Sequence, residues 1–273
     1  MARKLSVFLV LLSSSVALSA QWLKYAESNI PRTPDGKPNL TAPAPKMPDG
    51  KPDFSGVWAV ANSELAPPDF QQGASNQFLN IAPDDQGRPY RRLPYQPGMA
   101  EMARIRDLPP KTTEPHTLCL PDGFMVQHTW GNQLRKIVQT RKVLVILAEY
   151  NSTYRQIFMD GRPLPSDPNP AWSGYSTAKW DGDTLVVESS GFKDGQWLDT
   201  AGDPFTDAAK ITERFRRPDF GHLQIDITVN DPKAYTKPWN VTVNQILAAD
   251  TDLLEFICLE NEKDITHMNA GTH

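Results

Sequence analysis

The sequence predicts an all-β protein, an antiparallel meander that closes as a barrel or folds as a sandwich, with the barrel-like form favoured. Three observations carry this. Asp181-Gly182 is a two-residue turn signal between apolar runs, because Gly takes a positive φ without a Cβ clash and Asp tolerates one. The run from His222 to Val229 alternates apolar odd positions with polar even ones, the period of a strand with one face in a core and one in water. Candidate strands then follow one another without helices between them, and 25 Pro against 16 Gly in 273 residues argue against long helices.

Residues 1–20 read as a secretory signal, with basic Arg3 and Lys4, an apolar run from Leu5 to Leu12, and small residues at Ala17-Leu18-Ser19-Ala20. That run is too short to span a membrane. Residues 21–53 are polar and proline-rich, an extended arm in which Pro34-Asp35-Gly36-Lys37-Pro38 returns as Pro48-Asp49-Gly50-Lys51-Pro52. Each copy reads as a tight turn framed by prolines, and the arm is the part expected to meet an envelope partner. Residues 54–273 form one β domain, opening with a strand over Phe54 to Val60. A long loop at 61–121 interrupts it, with a short helix between Pro97 and Asp107. Further strands are expected over Leu134–Thr140, Val143–Tyr150, Thr153–Asp160, Tyr175–Trp180, Thr184–Ser189, Lys210–Arg217, His222–Asn230, Trp239–Leu247 and Leu253–Glu260.

Charge narrows the function classes. The chain carries a net charge of −4, and cleavage after Ala20 leaves 26 basic against 32 acidic residues, or −6. No basic run suggests nucleic acid or an anionic membrane surface. The two cysteines, Cys119 and Cys258, are expected to form a disulfide in a secreted or periplasmic protein, with two separate buried thiols as the alternative.

Several blocks together resemble a widespread family of exported bacterial proteins without an established activity. They are Asp53-Phe54-Ser55-Gly56-Val57-Trp58, Ile157-Phe158-Met159-Asp160-Gly161-Arg162, Trp180 to Val187, Glu213-Arg214-Phe215-Arg216-Arg217 and Asp231 to Trp239. Many relatives place histidines after the Asp160-Gly161-Arg162 block and around the segment matching Gly202 to Thr206, where this chain has Leu164, Asp203 and Phe205. A looser resemblance is to lipocalin-like barrels, whose first strand opens Gly-x-Trp, here Gly56-Val57-Trp58. That resemblance implies an Arg from a late strand covering the Trp ring at the closed end.

Candidate site residues follow from strand parity and side-chain chemistry. Arg155, Asp160 and Arg162 cluster at a strand end, where a guanidinium fork can hold a carboxylate, phosphate or sugar hydroxyls. A plain Asp160-Gly161 turn is the competing reading. Glu213 and Arg214 must face opposite sides of their strand. Ile211 and Phe215 share the Glu213 side, so Glu213 is expected inside, ionised beside Arg155 or Arg162 or else protonated, with Arg214 outside. Glu149 is a candidate partner for Arg214. Tyr175, Trp180 and Trp239 supply aromatic surface at strand ends. The five histidines show no zinc spacing, and neither a metal nor a cofactor is expected. These features favour a protein that binds a small, partly apolar ligand with a polar end. An extracytoplasmic hydrolase using Glu149 and Glu213 on a glycan or ester, and an envelope interaction protein, are the alternatives.

Overall fold

The computed structural model describes residues 27–61, 93–108, 113–121, 123–129, 134–149 and 152–258. The expected signal segment and most of the loop at 61–121 lie outside them. Nine strands close into a barrel. In chain order they are β1 (Gly56–Val60), β2 (Arg135–Gln139), β3 (Val143–Ala148), β4 (Tyr154–Phe158), β5 (Tyr175–Asp181), β6 (Thr184–Ser190), β9 (Lys210–Arg216), β10 (His222–Asn230) and β11 (Trp239–Leu247). Two-residue strands β7 (Gln196–Trp197) and β8 (Pro204–Phe205) pair in the β6–β9 connection. The short helix falls at α1 (Met99–Arg106), and a one-turn helix α2 (Val126–Thr129) precedes β2.

Around the wall the order is β1-β11-β10-β9-β6-β5-β4-β3-β2, with β2 returning to β1. Every neighbouring pair is antiparallel except β4 and β5, which run parallel and pair only at Ile157↔Ser176 and Phe158↔Thr177. The simple meander is therefore corrected at this seam. The chain needs a crossover from β4 to β5, and residues 159–174 supply it without a helix.

Two further expectations change. Asp181 pairs with Thr184, so the hairpin turn residues are Gly182-Asp183 and not Asp181-Gly182. Gly182 has φ 60° while Asp183 is not among the positive-φ residues, which fits a II′ turn with Gly first. No strand forms at residues 253–258. The pairing of β1 with both β2 and β11 closes the barrel there and leaves β11 no free edge for a following strand.

Strand parity fills the interior. Ile211, Glu213 and Phe215 of β9 point inward, as do Leu223, Ile225, Ile227 and Val229 of β10 and Val241, Val243 and Gln245 of β11. At one end Trp58 is fully buried, and its Nε1 donates to the Phe54 carbonyl at 3.0 Å. The Arg217 guanidinium lies 4.8 Å from the Trp58 ring centre. It donates to the carbonyls of Asp53 (2.6 Å), Ser55 (3.0 Å) and Phe220 (3.1 Å). Burial lowers the Arg217 pKa to about 10. At the other end Phe124, Phe192 and Phe205 pack edge to face and stacked, with Phe192 and Phe205 4.8 Å apart.

The arm is laid on the barrel. Its two Pro-Asp-Gly copies fold identically: Gly36 N–H donates to Thr33 and Thr33 N–H to Lys37, as Gly50 does to Met47 and Met47 to Lys51. Both glycines have φ 83°. Arg32 forms a bidentate pair with Asp250, and the Leu40 and Ala42 carbonyls accept from Gly221 and Phe220.

Candidate functional site

The polar heart of the barrel is built on four strands and one short helical turn. Arg155 enters from β4, Ser176 from β5, Ser189 from β6 and Glu213 from β9, each at an inward position of its strand and each buried. Arg155 Nη1 donates to Glu213 Oε1 at 3.0 Å, and Nη2 donates to Oε2 and, at 2.8 Å, to Ser189 Oγ. Arg155 Nε donates to Ser176 Oγ at 3.1 Å, and the two serine hydroxyls are 2.8 Å apart. The guanidinium face lies 4.8 Å from the Phe124 ring centre. A charge this deep requires such a shell, because an unpaired ion out of water costs several kcal/mol or more.

The α2 turn brings His128 to the same carboxylate. Its Nε2 lies 2.9 Å from Glu213 Oε1, off the direction of a good hydrogen bond, and Nδ1 has no hydrogen-bond partner. Burial lowers the His128 pKa, outweighing Glu213, so the ring is neutral. Burial alone would raise the Glu213 carboxyl, but the Arg155 charge, the close His128 ring and the Arg155 hydrogen bonds prevail and hold it at about 2. Arg135 Nη1 donates to the His128 carbonyl at 3.1 Å, and burial lowers the Arg135 pKa to about 10.

This network underlies a groove. Where β4 and β5 diverge beyond their two paired residues, an open groove of about 500 Å³ forms. Tyr154, Phe158, Trp172 and Tyr175 supply aromatic surface, and Arg155 and Ser176 are among the residues lining it. Among the described residues no Asp or Glu lines the groove. Cations flank its aromatic walls: Arg162 lies 3.9 Å over the Phe158 ring and donates to Tyr175 Oη at 3.2 Å, and Lys193 Nζ lies 5.2 Å from the Trp172 ring centre.

The structure thus brings Arg155 and Tyr175 to the groove, with Glu213 behind Arg155. Arg162 stands at its rim, bonded to Asp160 by its Nε and Nη2. Trp180 stacks on Phe54 at 5.8 Å, and Trp239 meets Tyr235 edge to face at 5.4 Å, so both pack away from the groove. Arg214 points outward and pairs with Asp181, not with Glu149. Glu149 instead accepts from the backbone N–H of Leu134 (2.8 Å) and Leu254 (2.7 Å). Neither Glu149 nor Glu213 lines the groove, so the paired carboxylates that a glycosidase needs are not presented there.

Sequence reasoning missed His128, Ser176 and Ser189. A lone His on a four-residue helix carries no periodic signal, although parity with Leu185 and Val187 does place Ser189 inside. Among the described residues no cluster of three His, Cys, Asp or Glu is placed to hold a metal, and no helix is long and apolar enough to cross a membrane. Cys119 and Cys258 are bonded, with Cα atoms 5.6 Å apart. The chain matches no family model, and no curated protein is significantly similar to it.

Proposed function

We propose that this is an exported, lipocalin-like binding protein that takes a small, partly apolar ligand with a polar end in the groove at the β4–β5 seam. The groove carries the reading. Its volume of about 500 Å³ lies within the ~300–1,000 Å³ of small-ligand pockets, and its walls are aromatic with few polar groups. Its described lining residues include no carboxylate and Lys193 stands beside it, which favours an anionic or neutral polar end. The Arg155–Glu213 pair makes a rigid floor: four of its guanidinium N–H groups are already used, so it shapes the site without serving as a free anion hook. Arg217 over Trp58 supports the lipocalin-like reading of the closed end.

Calorimetric titration with naphthalene carboxylates and medium-chain fatty acids tests the groove. One-site binding is expected, weakened about tenfold or more by Trp172→Ala as aromatic contact is lost. No saturable binding, or an unaltered response from Trp172→Ala, overturns the proposal. For export, N-terminal sequencing of protein recovered outside the cytoplasm should begin at Gln21, and a chain retaining Met1 would contradict it.

A further inference from the structure

We infer that the groove takes its ligand as an extended peptide: the free edge of β4 pairs with the backbone of a short peptide that ends in a carboxylate. This rests on the groove being a ligand site and names the class of ligand.

The β4 backbone turns one edge toward β3 and the other toward the seam. In the β3–β4 ladder, Ala148 N–H donates to the Thr153 carbonyl and Met159 N–H to the Lys142 carbonyl. Because antiparallel partners alternate between bonded and non-bonded pairs, Thr153, Arg155, Ile157 and Met159 turn their backbone groups toward β3. Tyr154, Gln156 and Phe158 therefore turn theirs the other way, toward the seam. The two parallel pairs with β5 occupy Phe158 and the Gln156 carbonyl. What remains facing the groove is the N–H and C=O of Tyr154 and the N–H of Gln156. Residues two apart in a strand are about 6.6 Å apart, so these groups stand at the spacing of another strand's donors and acceptors.

Three backbone groups aligned on a strand edge are matched by another extended backbone, the arrangement of strand addition. A fatty acid or an aryl acid fills the aromatic space but leaves all three without partners. The opposite wall, the turn at residues 171–174, is closed on itself: Gly174 N–H donates to the Ala171 carbonyl, and Ala171 is bonded to Gly191 and Lys193. That wall offers Trp172 to a side chain and does not compete for the β4 edge. Charge selects the end group. With no carboxylate among the described lining residues and the Lys193 ammonium over Trp172, an acidic peptide terminus is accepted where a basic one is repelled.

The test uses the full mature chain and a fluorescein-labelled peptide of sequence Thr-Val-Tyr-Val-Ala with a free C-terminus, followed by polarisation. Its control is the same peptide N-methylated at both valines, which keeps every side chain and removes the donors on one edge. N-methylation should weaken binding about tenfold or more, the loss of one to two hydrogen bonds. Gln156→Pro removes a groove-facing N–H and no β3–β4 ladder bond. It should weaken the peptide similarly and by more than it weakens naphthoate, which has no use for a backbone donor. Lys193→Glu should weaken the free-acid peptide and spare its C-terminal amide. Should Gln156→Pro fail to fold, the N-methyl comparison on the unaltered protein decides alone. Equal affinity for the two peptides overturns the inference. So does Trp172-dependent naphthoate binding with no peptide binding, which leaves the groove as a site for small amphiphiles. If neither probe binds, the groove reading itself has failed.

Discussion

Glu213 has no exposed surface, and its neighbours fix what protonation does to it. Replacing it with Gln leaves the Arg155 charge buried beside a neutral group, so Glu213→Gln should destabilise the protein by about 3–5 kcal/mol in urea unfolding. A change near zero would mean that water reaches Arg155. The pH dependence has a definite sign. The folded Glu213 pKa of about 2 lies below the ~4.3 of an unfolded glutamate, so its stabilisation is present above that value and lost as pH falls toward 2. His128 acts in the same direction, because the unfolded chain takes up a proton below about pH 6.5 that the buried ring resists. The urea midpoint should therefore decline from about pH 6.5 downward and more steeply below about 4.3. A flat midpoint over that range would contradict both assignments. Trp58 is the apolar counterpart. Trp58→Ala removes a fully buried ring and leaves Arg217 without its cover, an expected loss of about 3–5 kcal/mol. An unchanged midpoint would show that the closed end does not depend on this ring.

The strands were legible wherever a period of two ran over five or more residues, as in β9 and β10, where the same parity placed Glu213 inside and Arg214 outside. The hairpin was legible too, but its turn was placed one residue early, because Asp181-Gly182 and Gly182-Asp183 offer the same residue types and only the cross-strand register separates them. Gly182→Ala tests the revised turn. A Cβ there meets nothing within 4 Å, so the cost comes from a backbone at φ 60° and should be about 1–2 kcal/mol. No loss would mean that the turn relaxes to another type. The parallel seam was not legible. Residues 159–174 have no helical period to announce a crossover, and strand direction leaves no trace in alternation. The groove exists because of that seam, so the part of the fold that creates the candidate site is the part that local sequence does not encode. The arm was legible as two copies of one turn, and the hydrogen bonds repeat at the same offset. Its docking was not legible, since it depends on Arg32 reaching Asp250, more than two hundred residues away.

For the molecule as a whole, barrel closure and the disulfide divide the work of holding the chain's end. Because β11 already pairs with β1, residues 251–258 cannot continue the sheet beside it. They are held by the Glu149 carboxylate on the Leu254 N–H, by Ser152 Oγ donating to the Phe256 carbonyl at 2.7 Å, by Lys136 on Asp252, and by the Cys119–Cys258 bond. The bond joins positions 139 apart in sequence. In the chain-entropy account a loop of that size removes about 5 kcal/mol of freedom from the unfolded chain, acting on that state more than on any native contact. Cys119→Ser with Cys258→Ser should therefore lower stability by about 2–5 kcal/mol while the far-ultraviolet spectrum of the barrel is retained. Amide exchange should quicken first at residues 251–258, whose remaining ties are a few hydrogen bonds and one partly exposed ion pair. Pro121 and Ser152 line the groove, the first two residues beyond Cys119 and the second bonded to the disulfide-tethered segment. Reduction should therefore also weaken naphthoate binding at the groove, even where the barrel remains folded. Unchanged stability and unchanged binding after reduction would mean that the hydrogen bonds alone secure this end and that the groove's rim does not depend on the disulfide.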